Sequence, residues 1–167
     1  MLSQKIKKIF INFSIIFFIF FIDRISKIYI LRIAETKGEV DIYVNPFLNF
    51  ILLWNKGIGF GLLSFDQSQI YNFITTFIVF INFIIIYLII KSKDIRIYFF
   101  LIILGGSLGN LFDRLIYRAV PDFIDFHIGN FHWFIFNFAD VFITLGVFFM
   151  ILSEFIGNNN VKDYEKF

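Results

Sequence analysis

One charge-free, mostly apolar run does most to limit what this chain can fold into. From Ile70 to Ile90, 21 residues carry no charge, and about 20 apolar residues in a helix are enough to cross the hydrocarbon core of a bilayer. The rest of the chain has the same character, with 59% hydrophobic and 17% charged residues and a mean hydropathy of +0.80. This composition excludes a soluble enzyme and a disordered tail, and it predicts a membrane-embedded protein.

Hydrophobicity predicts four membrane spans. They run from Ile9 to Leu31, Ile70 to Ile90, Ile97 to Tyr117 and Phe134 to Ser153. The first span follows several lysines, as a signal peptide would, but its core is long and no A-x-A-like cleavage site follows it, so we interpret it as a retained helix. The predicted fold class is therefore a mainly α membrane protein, with one embedded domain over residues 1–157 and a short cytoplasmic tail over 158–167.

Basic residues predict the orientation of these spans. One side of the membrane would hold Lys5, Lys7, Lys8, Lys91, Lys93, Arg96, Lys162 and Lys166. Short flanks rich in Lys and Arg stay in the cytoplasm, so we expect both termini there and residues 32–69 and 118–133 outside. Within 32–69, the stretches Val40 to Val44 and Phe47 to Trp54 favour β-strands, which predicts a small extracytoplasmic β-sheet.

Acidic residues lie inside or at the edge of three apolar spans, where an ionisable group costs several kcal/mol unless it has a partner or a function. Asp23, Asp113 and Asp140 each lie roughly 20 to 26 Å along their helix from the charged residues at its cytoplasmic end, at about 1.5 Å per residue. All three carboxylates therefore reach a similar level near the outer edge of the membrane. Asp122 follows the third span closely enough to join them.

Several of these acids have simple structural explanations. Asp23 and Lys27 are four residues apart on one helical face, which favours an intrahelical ion pair. Asp113 and Arg114 can form a structural pair at a helix end, and Asp125 has the position of a solvated loop acid.

Asp122 and Asp140 have no obvious local cation, and paired carboxylates are one route to the activation of water. A structural role and a catalytic role remain equally open for them from the residues alone.

Other candidate chemistry is weaker. Gly105 to Gly109 match G-x-S-x-G, but they lie within an apolar helix rather than on a strand-to-helix turn, and their GxxxG spacing favours close helix packing. His127 and His132 lack an H-E-x-x-H arrangement, and the chain has no Cys. We therefore predict no metal and no cofactor in the reaction, and the small net charge of +2 predicts no nucleic-acid partner.

Taken in order, several motifs resemble those of signal peptidase II, the lipoprotein signal peptidase family of membrane aspartyl peptidases. The blocks that carry the resemblance are Asp23 to Lys27, Asn55 to Gly61, Gly105 to Arg114, Asp122 to Asp125 and Phe136 to Asp140. They cover most of the chain.

The resemblance implies a fold, a reaction and a set of site residues. Asp122 and Asp140 match the catalytic pair. Residues that match positions supporting the site or binding substrate are Asp23, Lys27, Asn55, Gly57, Asn110, Asp113, Arg114, Asn137 and Ala139. The implied substrate is a prolipoprotein whose cysteine already bears diacylglycerol, cut just before that cysteine at the outer face of the bacterial inner membrane, in contact with membrane lipid.

Two positions depart from the family pattern. Gly59 lies where the family often has Ala or another small residue, and Pro121 precedes Asp122 where an apolar residue such as Val is usual. Pro121 should push Val120 toward extended geometry.

Two rival functions make different predictions. A small transporter would place its acids near the midplane of two pseudo-symmetric halves. An assembly factor would use its polar residues only to hold helices together.

Overall fold

A computed structural model describes residues 2–57 and 67–164. In chain order its elements are α1 (Leu2–Lys37), β1 (Asp41–Asn45), β2 (Leu48–Asn55), α2 (Gln67–Lys91), α3 (Arg96–Tyr117), β3 (Val120–Ile128), β4 (Phe131–Phe136) and α4 (Phe138–Tyr164). Four helical segments are long and apolar enough to cross a membrane: Ser3–Lys37, Ser68–Lys91, Arg96–Tyr117 and Phe138–Ile156. The predicted fold class, a mainly α membrane protein with a small sheet, is confirmed.

The predicted start of the fourth span was wrong, and the first helix is longer than its predicted apolar span. The first helix continues to Lys37, six residues beyond its predicted apolar end at Leu31, because the polar residues at its C-terminal end are good helix formers. The fourth span does not begin at Phe134, which lies in β4; the helix begins at Phe138. Hydrophobicity did not separate the two because an apolar strand leads almost directly into an apolar helix.

The four strands form one antiparallel sheet in the order β1-β2-β3-β4. Strands β1 and β2 correspond closely to the two predicted strands, but β3 and β4 were not predicted. In β3 nearly every residue from Val120 to His127 is buried, so the strand lacks the alternation of apolar and polar residues that identifies a half-exposed strand. Asp125 was predicted to be a solvated loop acid, and that was wrong: it lies within β3 and is fully buried.

Helix α3 is central and packs against the other three helices. A Cβ built on Gly105 would lie 2.9 Å from the Cβ of Ile19, and one built on Gly109 would lie 2.5 Å from Oδ2 of Asp23. Only glycine leaves room for α1 to approach this closely. The GxxxG interpretation is therefore confirmed, and Ser107 lies within a continuous helix rather than at a nucleophile turn.

The sheet packs on the C-terminal end of α1. Ile30 of the helix, Val40 beyond it, and Phe123 and Ile124 of β3 form one buried apolar cluster. Helix α3 ends at Tyr117, followed by Arg118 in the left-handed conformation with φ of 55°. This turn sends the chain directly into β3, so Asp122 lies close to the ends of α3 and α4.

Candidate active site

A buried lysine gathers polar side chains from two helices. Lys27 is fully buried, and its Nζ lies 2.9 Å from Oδ2 of Asp23 and 2.7 Å from Oδ2 of Asp113. It also donates a hydrogen bond to Oδ1 of Asn110 at 2.9 Å. The predicted Asp23–Lys27 ion pair is confirmed, but it belongs to a larger group that joins α1 to α3.

A second cation completes this group. Arg24 Nη2 lies 2.6 Å from Oδ1 of Asp113, and its guanidinium lies over the ring of Phe112, 4.9 Å from the ring centroid. Two carboxylates thus face two cations, so the buried charges balance. The predicted structural pair of Asp113 with Arg114 was wrong, because the ion pairs of Asp113 are with Lys27 and Arg24. Sequence reasoning missed Arg24 as a partner of these acids, although it directly follows Asp23 in the first span.

Asp23 also connects this cluster to α4. Its second oxygen, Oδ1, accepts a hydrogen bond from the backbone N of Ala139 at 3.0 Å. Ala139 lies in the first turn of α4, where backbone N–H groups have no partner within the helix. The carboxylate of Asp23 therefore holds the start of α4 at a fixed place beside α1.

Asn137 contacts both carboxylates of the predicted pair. Its side-chain amide donates to Oδ1 of Asp122 at 2.5 Å, and its backbone N donates to Oδ2 of Asp140 at 3.2 Å. In return, the backbone N of Asp140 donates to Oδ1 of Asn137 at 3.1 Å. This is a reciprocal capping box at the start of α4, in which Asp140 serves both the helix and the site.

Two further amides fix the other oxygens of the pair. Asn55 Nδ2 donates to Oδ2 of Asp122 at 2.9 Å, and Asn110 Nδ2 donates to Oδ1 of Asp140 at 2.8 Å. Lys27 can only donate, so it holds the carbonyl oxygen of Asn110 toward itself and turns the amide nitrogen toward Asp140. The ion cluster thereby orients one of the two candidate catalytic groups.

The carboxyl of Asp122 is almost entirely buried, and burial raises its pKa to about 6. The hydrogen bond from Asn55 lowers the pKa, and the neighbouring charge of Asp140 raises it. A buried carboxylate beside a second carboxylate tends to keep a proton. Asp122 can therefore hold a proton at mildly acidic pH, where an ordinary aspartate has already lost it, and a carboxyl tuned in this way suits acid and base chemistry.

The predicted glycine-rich turn is described only as far as Gly57. Gly57 has φ of 80°, which favours glycine, and its backbone N donates to Oδ1 of Asn55 at 2.7 Å. This bond turns the other end of the Asn55 amide toward Asp122. Residues 58–61, including the departure at Gly59, lie outside the described residues.

Arg114 and Pro121 lie beside the pair. Arg114 Nη1 donates to the backbone oxygen of Asn110 at 3.3 Å, and its own carbonyl accepts from the hydroxyl of Tyr71 at 2.5 Å. Tyr71, which sequence reasoning missed, thus ties α2 to the end of α3. Val120 lies in an extended strand, as its position before Pro121 predicted.

Comparisons with known proteins identify the family to which the chain is similar. The profile of the family described as Signal peptidase (SPase) II matches residues 15–156. A lipoprotein signal peptidase of Pelagibacter ubique (strain HTCC1062) is 53% identical over 162 residues, covering 97% of each chain. One of Anaplasma phagocytophilum (strain HZ) is 40% identical over 149 residues, covering 89% of this chain and 94% of that protein. A solved bacterial membrane enzyme shares 29% identity with a TM-score of 0.66, covering 89% of this chain and 90% of that one.

Proposed function

The chain belongs to the signal peptidase II family, and we propose that it is an aspartic endopeptidase that removes the signal peptide from diacylglyceryl-modified prolipoproteins. Cleavage falls just before the lipidated cysteine. Membership makes the chain a protease, and its four apolar helices make it a multi-pass protein of a bacterial membrane. The observation that carries the proposal is that one residue, Asn137, binds both Asp122 and Asp140.

In the proposed mechanism, one carboxyl of the pair carries a proton and the other is ionised. The ionised group takes a proton from a water molecule held between them, and that water attacks the scissile carbonyl. The protonated group then donates to the leaving amine. Because Asp122 and Asp140 titrate as a unit, these roles belong to the pair rather than to either residue.

The contacts suggest different roles for the surrounding polar residues. The amides of Asn55, Asn110 and Asn137 already donate to carboxylate oxygens, so they orient the pair. Arg114 has spare donors on its guanidinium, which makes it the best candidate to bind a substrate carbonyl or the developing oxyanion. Asp23, Lys27, Asp113 and Ala139 act one layer further out.

The position of the pair suits a lipidated substrate. Asp122 lies in the sheet and Asp140 in the first turn of a membrane helix, so the reaction centre lies where the apolar spans meet the sheet. We propose that this is the outer face of the membrane and that both termini are cytoplasmic. The acyl chains of the substrate could then stay in the bilayer, in contact with lipid, while the peptide bond reaches water.

A cleavage assay tests the proposal directly. Purified protein is mixed with a diacylglyceryl-modified precursor, and release of the signal peptide is followed for wild type, Asp140→Asn and the control Asp41→Asn, which removes an exposed carboxylate of β1. We expect wild type and the control to cleave, and Asp140→Asn to lose at least a thousandfold in turnover. Failure of wild type to cleave, or full activity of Asp140→Asn, would overturn the proposal and favour a transporter or an assembly role.

A further inference from the structure

Both histidines of the chain lie beside a buried carboxylate on the hairpin of β3 and β4. His132 Nδ1 lies 2.8 Å from Oδ2 and 3.0 Å from Oδ1 of Asp125. His127 Nδ1 lies 3.4 Å from Oδ2 of the same carboxylate. The three side chains can each turn one ligand atom toward a common point, with these atoms all within 4.8 Å of one another. Their positions in the sequence did not reveal this arrangement.

Strand register explains why these residues meet. His127 and His132 are direct partners across β3 and β4, and their rings stack with centroids 5.0 Å apart. A register shift between Phe126 and His127 marks a bulge, and a bulge re-aims the side chains next to it. The hairpin therefore fixes both rings against Asp125 through its backbone pairing.

Two buried atoms around this cluster have no hydrogen-bond partner. One is Nδ1 of His127, whose side chain is only 9% exposed, and the other is Oδ1 of Asn49. Asn49 lies directly opposite Asp125 across β2 and β3, so the two side chains project from the same face of the sheet. Unsatisfied buried polar atoms are rare and point to a missing partner. Here one of them belongs to the cluster itself, and the other belongs to the residue paired with Asp125 across the sheet.

The charge of Asp125 is also uncompensated by any permanent cation. Among the described residues, its ion-pair partners are the two histidines alone. Asp23 and Asp113, which are equally buried, face Lys27 and Arg24 instead. A fully buried carboxylate needs a positive partner, and among the described residues no lysine or arginine forms an ion pair with Asp125.

We propose that Asp125, His127 and His132 bind a divalent transition-metal ion of the zinc type. Two imidazole nitrogens and one carboxylate oxygen are the donors that Zn²⁺ prefers, and bonds of about 2.0 to 2.1 Å place tetrahedral ligands about 3.3 Å apart. The observed separations of 2.8 and 3.4 Å bracket that value. Oδ1 of Asn49 or a water molecule fills the fourth position. His132 is half exposed, which gives the ion a route in from solvent.

The ion would hold β4 against β3. Asp122 precedes the cluster along β3, and Asn137 follows it directly after β4, so the hairpin connects two residues of the candidate active site. The metal itself contacts neither carboxylate of the catalytic pair. Its role is therefore structural, and it is separate from the proposed proteolytic chemistry.

Zinc binding is measured on purified, tag-free protein that has first been stripped with a chelator. We expect wild type to bind one equivalent of Zn²⁺, and its melting temperature to rise by roughly 5 to 10 °C at a hundredfold excess over Kd. His132→Gln, at a half-exposed position, should lose both effects, while Asp41→Asn should keep both. X-ray absorption on zinc-loaded wild type should show two imidazoles around the metal, independently of whether any variant folds.

Two results would overturn this inference. Wild type that binds no zinc would leave the cluster as a contact between Asp125 and the two histidines alone, and zinc binding that persists in His132→Gln would place the ion elsewhere. Prolipoprotein cleavage measured on the same stripped sample keeps the two proposals apart. Cleavage without zinc binding would leave the proteolytic function intact and remove only the metal site.

Discussion

Lys27 donates a hydrogen bond to Asn110 across 83 positions of the chain, with Nζ 2.9 Å from Oδ1. The same amide then donates to Asp140 at 2.8 Å. Lys27 forms no hydrogen bond with Asp122 or Asp140. It is connected to Asp140 through the side chain of Asn110. The ion cluster and the candidate catalytic pair are therefore joined at this point of the fold.

Lys27→Ala should reduce both stability and turnover. It leaves Asp23 and Asp113 buried with one cation fewer, and breaking a buried ion pair on one side costs about 3 to 5 kcal/mol. The melting temperature in detergent should fall clearly, whereas Lys37→Ala, at the exposed end of α1, should leave it within error. An unchanged melting temperature with abolished cleavage would instead place Lys27 on the substrate.

Asn137 has two functions that different substitutions should separate. Ser can still cap α4 but is too short to reach Asp122, while Ala loses both contacts. We expect Asn137→Ala to lose about 1 kcal/mol of stability through the cap, Asn137→Ser to retain most of it, and both to lose turnover. Thermal melts and cleavage rates measure the two effects. Wild-type turnover in Asn137→Ser would show that the bond to Asp122 is dispensable.

The sequence predicted the site better than it predicted the sheet. Charged residues in apolar spans stand out because the membrane excludes them, so Asp23, Lys27, Asp113 and Asp140 were identifiable without a structure. Asn137 and Asp140 also have the spacing of a capping pair, but hydrophobicity placed the start of the fourth span at Phe134, and the pair was not recognised as a cap. What spacing could not supply was the partner of each group, as the pairing of Asp113 with Arg24 shows.

The missed strand β3, the wrong prediction for Asp125 and the missed contact of His127 with His132 have a common physical cause. Strand β3 is covered on both faces, so its sequence shows no alternation, and Asp125 looks like a loop residue only because its neighbours do not look like a strand. The meeting of His127 with His132 depends on the register of β3 and β4 and on a bulge. Such cross-strand contacts are tertiary, and no local pattern encodes them.

The raised pKa of Asp122 predicts how stability changes with pH. The folded-state pKa is about 6 against an ordinary value of 3.8, so the folded protein binds this proton more tightly than the unfolded chain does. The stability that the neutral carboxyl provides is present at low pH and is lost as pH rises through 6, by roughly 3 kcal/mol at most.

Asp122→Asn cannot ionise, so it should lack this loss. The melting temperature of the variant relative to wild type should rise between pH 5 and pH 8, and Asp41→Asn should show no such change. A difference between Asp122→Asn and wild type that stays constant over this range would mean that Asp122 titrates normally.

Membrane topology can be tested cleanly because the chain has no cysteine. Glu39→Cys lies in the connection from α1 to the sheet, and Lys93→Cys lies between α2 and α3. With both termini cytoplasmic, a membrane-impermeant thiol reagent added to intact cells should label position 39, and position 93 only after the membrane is opened. Labelling of position 93 in intact cells would reverse the proposed orientation.

The strongest test of the catalytic pair is whether its substitutions add. If Asp122 and Asp140 handle one water and one proton together, either residue alone lacks a partner, so removing the second costs little more. Asp122→Asn and Asp140→Asn should each raise the barrier by about 4 kcal/mol or more, and the double variant should be scarcely slower than either. Substrate binding should persist, since Asn keeps the volume. A double-mutant cycle on folded variants measures turnover and binding separately, and near-wild-type turnover of Asp122→Asn with an inactive Asp113→Asn would move the catalytic role to Asp113.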